Sequence, residues 1–271
     1  MKISSFYLIL ALPFLIGGCG EPQKQELTQF VNPFIGTGGH GHTYPGAAVP
    51  FGMVQLSPDT RLEGWDGCGG YHYSDSVIYG FSHTHLSGTG VSDYGDVLFM
   101  PTEGEIQLDN GYETSPDEGY ASRFTHQKEQ AAPGYYQVNL TDYNIDVQLT
   151  VTERAGFHQY TFNKSGQSNV ILDLLHRDEL LDAHIEIVDS QTIRGKRISK
   201  AWAEEQHVYF YAQFSSPIIQ DTIVLAPVLG AAKPVKAAFG FDVQENHKLL
   251  LKVGISAVSM ESAQANLDAE I

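Results

Sequence analysis

The chain has 271 residues, of which 42% are hydrophobic, and its 32 acidic and 16 basic residues give a formal net charge of −16 at pH 7. This acidity argues against a nucleic-acid partner, because binding a phosphate backbone requires basic residues that displace its counterions. The composition is compatible with a neutral substrate or a divalent cation, and its apolar content is sufficient for a sizeable core.

The N-terminus predicts an exported lipoprotein. Lys2 precedes an apolar run from Phe6 to Ile16, which ends in Gly17-Gly18-Cys19. The run resembles a secretory signal and is too short to span a bilayer. Small residues before Cys19 resemble a bacterial lipobox, in which the cysteine is lipidated; an ordinary cleaved signal with an incidental Cys19 is the alternative. We therefore predict a signal peptide over residues 1–18 and attachment in the periplasm or at the outer membrane or cell surface.

Residues 31–101 form a long stretch that is dense in Gly, His, Tyr, Asp and Pro and has few regular runs. Such a stretch is unusual inside a compact domain unless it builds a functional surface. Loop glycines allow the backbone to approach a ligand, and aromatic rings supply stacking faces. The functional site is therefore expected here.

The following region alternates polar and apolar residues with period two, which predicts β-strands. Turn signals separate the runs, among them Pro133-Gly134, Asn163-Lys164-Ser165-Gly166 and Gly195. The pattern predicts an all-β fold, a sandwich or a barrel of antiparallel strands. The predicted strands are 136–140, 145–151, 159–162, 184–188, 208–214 and 248–255.

The last residues change character. Residues 259–270 are rich in Ala, Glu and Leu and predict a helix. This helix is either the start of a linker to a further domain or a short surface helix at the end of the chain.

Two His-x-His pairs, His40-Gly41-His42 and His83-Thr84-His85, are candidate metal ligands. On an extended strand, residues i and i+2 point to one face, so each pair has the spacing for a transition metal. Neither pair is followed by the Glu that a cupin places nearby. Hydrogen bonding in a polar pocket or bracing of loops is the favoured interpretation.

A second constellation is Trp65-Asp66 in a glycine-rich loop. An indole face beside a carboxylate suits a sugar subsite, because the ring stacks on the pyranose while the carboxylate accepts from hydroxyls. The alternative is a core Trp65 followed by a turn at Asp66. Cys68 is predicted to be a buried, inert thiol, and no intrachain disulfide is expected.

Four ordered blocks resemble the opening of the glycoside hydrolase family 92 α-mannosidases. The resemblance extends over roughly residues 30 to 271. The blocks are Val31–Ala47, Ala48–Thr60, Gly70–Ser76 and Gly80–Gly90, and Asp93-Tyr94-Gly95-Asp96 follows the last of them.

The resemblance implies a large antiparallel β-sandwich of the galactose-mutarotase-like kind over residues 29–260, preceded by a tether over 19–28. Residues 261–271 would begin the linker to a C-terminal (α/α) toroid domain. The implied enzyme is a calcium-dependent, inverting exo-α-mannosidase acting on N-glycan or mannan α-mannosides. In the family both catalytic carboxylates belong to the helical domain, so no catalytic residue and no metal ligand is assigned to this chain.

The residues expected to contact the glycan by this resemblance share one feature, their position in the irregular segment. They are Trp65, Asp66, Gly38, Gly39, His40, His83 and His85. Phe51, Phe81 and Tyr94 are expected to pack beneath the loops. The alternative function is a non-catalytic carbohydrate-binding or structural module.

Overall fold

The computed structural model of the protein describes residues 26–244 and 247–271. The predicted signal peptide, Cys19 and most of the tether lie outside the described residues. In chain order the strands are β1 (Ala47–Ala48), β2 (Gln55–Asp59), β3 (Val77–Ile78), β4 (Gly80–Ser82), β5 (Leu98–Glu103), β6 (Ser122–Arg123), β7 (Glu129–Ala132), β8 (Tyr135–Leu140), β9 (Ile145–Val151), β10 (Ala155–Phe162), β11 (Gly166–Asp173), β12 (Glu179–Ile187), β13 (Thr192–Lys200), β14 (Gln206–Phe214), β15 (Gln220–Val228), β16 (Ala231–Val243) and β17 (His247–Ser256). Helical segments are the 3₁₀ turns Leu27–Phe30, Pro116–Glu118 and His126–Lys128 and the α-helix α1 (Met260–Glu270).

Two large antiparallel sheets form the sandwich. One has seven strands in the order β1-β2-β4-β5-β11-β16-β15, and the other has eight in the order β12-β13-β14-β17-β10-β9-β8-β7. A small third sheet pairs β3 with β6. The expectation of an all-β sandwich is confirmed.

Side-chain alternation determines which face of each strand enters the core. In β9, Ile145, Val147, Leu149 and Val151 are buried, whereas Asp146 and Thr150 between them are exposed. This is the period-two pattern of a sheet with one buried face. The core between the sheets is rich in aromatic side chains, and the fully buried phenylalanines include Phe81, Phe99, Phe162, Phe210, Phe239 and Phe241.

Gly195 was predicted to mark a turn, and this prediction is wrong. It lies inside β13, paired with Ile185 of β12 and Phe210 of β14. A Cβ atom at this position would lie 2.0 Å from the His184 carbonyl oxygen and 2.7 Å from the Phe210 ring. The glycine is therefore needed for close packing within the strand and not for a change of direction.

The predicted C-terminal helix is present as α1. Its N-cap is Ser259, whose hydroxyl accepts a hydrogen bond from the Ser262 amide. The helix buries Ala263 and Leu267 against the eight-stranded sheet, next to Tyr211. None of the helices in the described ranges is long and apolar enough to cross a membrane.

Replacing Gly254 with alanine is expected to destabilise the protein by about 1–3 kcal/mol through overpacking under α1. The added Cβ would lie 2.3 Å from the Ala263 carbonyl oxygen and 2.8 Å from the Leu267 Cβ, so the helix must shift. The matched control is Gly240→Ala in β16, where the nearest atom is the Gln220 Cβ at 3.3 Å. Urea unfolding of both variants checks this, and equal losses would contradict the assigned role of Gly254.

Candidate functional site

Three glycine-rich loops converge beside the sandwich. They comprise residues 33–46 (the first loop), 60–76 (the second loop) and 83–97 (the third loop). The Tyr73 amide of the second loop donates to the Thr37 carbonyl of the first at 2.8 Å. The Gly88 amide of the third loop donates to the His42 carbonyl of the first at 2.7 Å. The first loop therefore joins the other two through main-chain hydrogen bonds.

Trp65 lies in the second loop and reaches across to the third. A Cβ atom at Gly90 would lie 2.1 Å from the indole ring, so the ring rests on bare backbone. The His42 ring meets the indole edge-on, with centroids 4.9 Å apart and an interplanar angle of 81°. Even so, 63% of Trp65 is exposed. The alternative of a core Trp65 is wrong, and the indole is a fixed ring with an open face.

Asp66 lies beside this ring and is held by His40. The His40 Nδ1 is 2.8 Å from the Asp66 Oδ1, and this hydrogen bond lowers the pKa of the carboxyl group. Asp66 is therefore ionised at neutral pH and has oxygens that can accept hydrogen bonds. The side chain of His40 is almost fully exposed.

The glycines of the first loop present backbone to the same region. Gly39 has φ +61°, and nothing lies within 4 Å of the Cβ position it leaves empty. Its carbonyl oxygen is 2.9 Å from the His72 Nε2 of the second loop. The segment 38–40 thus lies against the second loop, with His40 bonded to Asp66. The structure therefore brings five of the seven predicted contact residues into one loop cluster: Gly38, Gly39, His40, Trp65 and Asp66.

His83 lies in the core. Its Nδ1 is 2.7 Å from the Val97 carbonyl oxygen, and its Nε2 is 3.2 Å from the Nε2 of His158. The second nitrogen of His158 is 2.8 Å from the Tyr160 hydroxyl. Donors and acceptors alternate along this series of hydrogen bonds if both imidazoles are neutral. Burial lowers the pKa of His83 to about 4 and that of His158 well below its usual value.

His85 is also buried and braces the loops from below. Its Nδ1 is 2.8 Å from the Gln55 carbonyl oxygen, and its Nε2 is 3.1 Å from the Asp59 carboxylate. Burial opposes ionisation of Asp59, but the charges of the nearby His85 and His176, together with the His85 hydrogen bond, outweigh it and hold the pKa of Asp59 below its usual range. Gly70 of the second loop lies directly against the Asp59 carboxylate, since a Cβ at this glycine would be 2.5 Å from the Asp59 Oδ1.

The two His-x-His pairs do not act alike. His83 and His85 make separate buried hydrogen bonds, whereas His40 bonds to Asp66 and His42 packs against Trp65. Across residues 26–244 and 247–271, no three or more His, Cys, Asp or Glu side chains are grouped so that they could hold a metal ion.

The acidic residues of the third loop are part of the scaffold. Asp96 is fully buried and accepts from the Thr84 hydroxyl at 2.7 Å, the Arg197 guanidinium and the Gln206 amide. Asp93 is 2% exposed and accepts from the Ala203 amide at 3.0 Å.

Cys68 is buried as predicted, and burial raises the pKa of its thiol. It donates to the Thr89 carbonyl at 2.9 Å. The thiol therefore links the second and third loops.

Residues 174–178 connect β11 to β12, and the last three of them contain a run of buried polar atoms. Arg177 donates through Nη2 to the Cys68 carbonyl at 2.9 Å and to the Ser92 hydroxyl, so it ties the second loop to the third. Within the part of the chain that the structure describes, both ring nitrogens of His176, Nε and Nη1 of Arg177 and Oδ2 of Asp178 have no hydrogen-bond partner. Buried groups of this kind ordinarily bind water or another partner.

Asp178→Asn is expected to become more stable relative to wild type as the pH rises. The difference in free energy of unfolding, variant minus wild type, is expected to be about 1–3 kcal/mol larger at pH 8 than at pH 4. Burial raises the pKa of Asp178 to about 6, against the opposing charges of Arg197 and Arg177. Because the folded pKa exceeds the unfolded value of 3.8, the folded state binds the proton more tightly, and stability is lost as pH rises from about 4 through 6. Asparagine cannot ionise, so the variant escapes this loss. Urea titrations of both proteins at several pH values measure it, and a stability difference independent of pH would contradict it.

Phe51 was expected to pack beneath the loops, and this prediction is wrong. The residue is fully exposed and has φ +61°, a conformation that a bulky side chain rarely adopts. It lines a groove of about 450 Å³ together with Met53, Tyr94, Val208 and Ile255. Phe81, by contrast, is fully buried as predicted.

Comparison with known proteins gives the family. Residues 30–256 match the glycosyl hydrolase family 92 N-terminal domain. The chain belongs to this family. The matched range contains all three loops.

Solved members of family 92 share the fold. An α-mannosidase from Bacteroides thetaiotaomicron, solved in complex with mannoimidazole, is 37% identical with a TM-score of 0.84, over 90% of this chain and 34% of that one. An inverting mannosidase from the same organism is 28% identical with a TM-score of 0.76, over 93% of this chain and 34% of that one. An uncharacterized secreted glycosidase of Arthroderma benhamiae is 29% identical over 69% of this chain and 25% of its own length. The chain thus spans about a third or less of these relatives.

Sequence reasoning missed several residues that shape this family 92 domain. Arg177 lies in the connection between β11 and β12 and Arg197 lies inside β13, and no local motif marks either of them. Asp59 lies in one of the blocks that resemble the family, but nothing in the sequence indicates its contact with His85. Trp202 is different: it is one of two tryptophans in the chain and is 67% exposed. Its rarity was a signal that the sequence offered.

Proposed function

We propose that the complete protein containing this chain is an exo-α-mannosidase that acts on N-glycan or mannan α-mannosides, and that this chain frames the sugar site. The observation that carries the proposal is the open face of Trp65, 63% exposed, beside the ionised Asp66. A pyranose stacks its apolar face on such a ring while the carboxylate accepts from its hydroxyl groups. Gly38, Gly39 and His40 supply backbone and a further polar group on the same side.

The general acid and base are placed outside this chain. Inversion needs two carboxyl groups about 6.5–9.5 Å apart, with space for a water between them. Three of the carboxylates in and under the loops, Asp59, Asp93 and Asp96, are buried and already hydrogen-bonded. The His40 hydrogen bond lowers the pKa of Asp66, so this carboxylate suits hydrogen bonding to a sugar rather than protonation of a leaving group.

Calcium dependence is proposed for the complete enzyme only. Calcium takes about six to eight oxygen ligands, several of them carboxylates. Residues 26–244 and 247–271 offer no cluster of acidic side chains arranged for a metal ion. The described residues therefore do not fit the ion, and we propose that its ligands lie outside them.

The groove beside Phe51 is proposed to receive a C-terminal helical domain. A fully exposed phenylalanine in a strained conformation is costly unless another surface covers it. Met53 and Ile255 extend the apolar surface across to the end of β17. The solved relatives are about three times as long as this chain, which is consistent with a further domain.

The stereochemistry of hydrolysis tests the proposed function. We expect proton NMR of the complete protein with methyl α-mannoside to show β-mannose first, with the α anomer appearing later by mutarotation. A chelator is expected to abolish turnover and added calcium to restore it. Binding without turnover would instead support the non-catalytic module, and immediate release of α-mannose would contradict inversion.

The lipid anchor is proposed from Cys19, which lies outside the described residues. We expect the exported protein to partition with membranes, and Cys19→Ala to release it into the soluble fraction. Fractionation of cells followed by mass spectrometry of the N-terminal peptide measures this. An unmodified Cys19, or a variant that stays in the membrane fraction, would contradict the anchor.

A further inference from the structure

Trp202 lies at the tip of the hairpin between β13 and β14. It is 67% exposed, similar to Trp65 at 63%. A single exposed apolar residue is common on protein surfaces and carries no conclusion by itself. The position and the rigidity of this one are what distinguish it.

The hairpin tip is fastened to the third loop. The Ala203 amide donates to the buried Asp93 carboxylate at 3.0 Å, and the Ala201 amide donates to the Ala203 carbonyl at 3.1 Å, closing the turn around Trp202. Farther down the hairpin, Arg197 and Gln206 both donate to Asp96. The backbone directly after Trp202 is thus held by a buried acceptor, and two side chains fasten the hairpin below it, so the indole is presented from a fastened turn.

The same loop supports both tryptophans. Trp65 rests on Gly90, and the turn of Trp202 is bonded to Asp93, three residues later. Consecutive Cα atoms are 3.8 Å apart, so these two supports lie within about 11 Å of each other.

The chemistry around Trp202 repeats that around Trp65. Glu204 and Glu205 follow Trp202 within three residues. The Glu205 Oε1 is 2.8 Å from the His207 Nε2. An indole face with carboxylate acceptors nearby suits a neutral, polyhydroxylated ring. The strongly acidic chain does not suit an anionic partner here.

We propose that Trp202 is a stacking platform for a sugar of the leaving group. This rests on the proposed function: an exo-acting enzyme holds one terminal sugar on the cleaved side, and every other sugar belongs to the leaving group. If Trp65 contacts the terminal mannose, a second platform on the same loop is positioned for the sugars that follow. Trp202 would then set the preference for long over short substrates.

The test uses Trp202→Ala in the complete protein with two substrates, α-mannotriose and α-mannosyl fluoride, which has no leaving-group sugar. We expect kcat/KM for α-mannotriose to fall about 10-fold or more, chiefly through KM, and kcat/KM for the fluoride to fall less than about 2-fold. Trp202→Phe is expected to keep most of the activity on α-mannotriose, because it retains a stacking ring. Trp65→Ala is the matched control and is expected to impair both substrates.

The outcomes separate this inference from the function on which it rests. Equal losses on both substrates together with a lowered Tm would show that Trp202 packs against another part of the protein, and no loss on either would show that it has no role; both overturn the inference and leave the mannosidase intact. A wild-type protein inactive on both substrates would overturn the proposed function and this inference with it.

Discussion

Replacing Asp96 with alanine is expected to lower the free energy of unfolding by about 3–5 kcal/mol, because it removes the carboxylate that pairs directly with a buried cation. Asp96 and Arg197 are both fully buried, and the guanidinium donates directly to the carboxylate. The remaining partners of Arg197 are the Leu174 and Arg177 carbonyls, which carry no full charge. The Thr84 hydroxyl and the Gln206 amide also lose their acceptor. Urea unfolding followed by circular dichroism measures the loss.

Two further variants show whether the charge is responsible. Asp182 pairs with Lys196 and Lys233 nearer the surface, so Asp182→Ala is expected to cost about 1 kcal/mol or less. Removing both buried charges, as Asp96→Leu with Arg197→Met, is expected to recover part of the loss because no unpaired charge remains. If Asp96→Ala costs no more than Asp182→Ala, the buried pair does not hold the loops to the sandwich.

Replacing Trp65 with alanine in the complete protein is expected to lower kcat/KM for α-mannosides by about 10- to 100-fold, equivalent to about 1.4–2.7 kcal/mol. The reason is the loss of a ring that we propose to stack on the sugar and that is held in place by Gly90 and His42. Steady-state kinetics on methyl α-mannoside measures it. A change of less than about 2-fold would mean that the exposed indole serves another purpose.

Gly90→Ala provides an independent variant that keeps the tryptophan. Its Cβ would lie 2.1 Å from the indole, so the ring must move off its support. We expect a loss of kcat/KM in the same direction as for Trp65→Ala. Val91→Ala is the matched control, since Val91 lies in the same loop and is 39% exposed; an equal loss there would mean that the loop as a whole, and not the position of the ring, is responsible.

The fold was predictable because sheet burial leaves a clear pattern. β9 alternates buried with more exposed side chains, β17 does so in its first part before becoming fully buried, and the predicted ranges of both agree with the structure to within a few residues. Gly195 escaped this reasoning because its role is to admit the Phe210 ring, a neighbour distant in sequence. Phe51 escaped it because aromatic residues are usually buried, and its exposure depends on a groove that only the tertiary structure forms.

The site was predictable where its residues are close in sequence and chemically distinctive. Trp65 and Asp66 are adjacent in a glycine-rich loop, for which the sequence left a sugar subsite and a core tryptophan as equal alternatives, and the exposed indole removes the second. His83 and His85 show the limit: their spacing indicates a shared face, but burial beside His158 and Asp59 gives them separate internal roles. The supports of the loops, Arg177 and Arg197, lie more than eighty residues away from them and become visible only through their contacts.

The central claim is that this chain frames a mannoside site whose acid and base lie elsewhere in the complete protein. It is tested most directly by assaying α-mannobiose hydrolysis with residues 26–271 alone and with the complete protein in parallel. The account predicts that the complete protein releases mannose and that the isolated chain releases none above the buffer blank. Turnover by the isolated chain at a rate comparable to that of the complete protein would contradict the account, because it would place the catalytic pair among these residues.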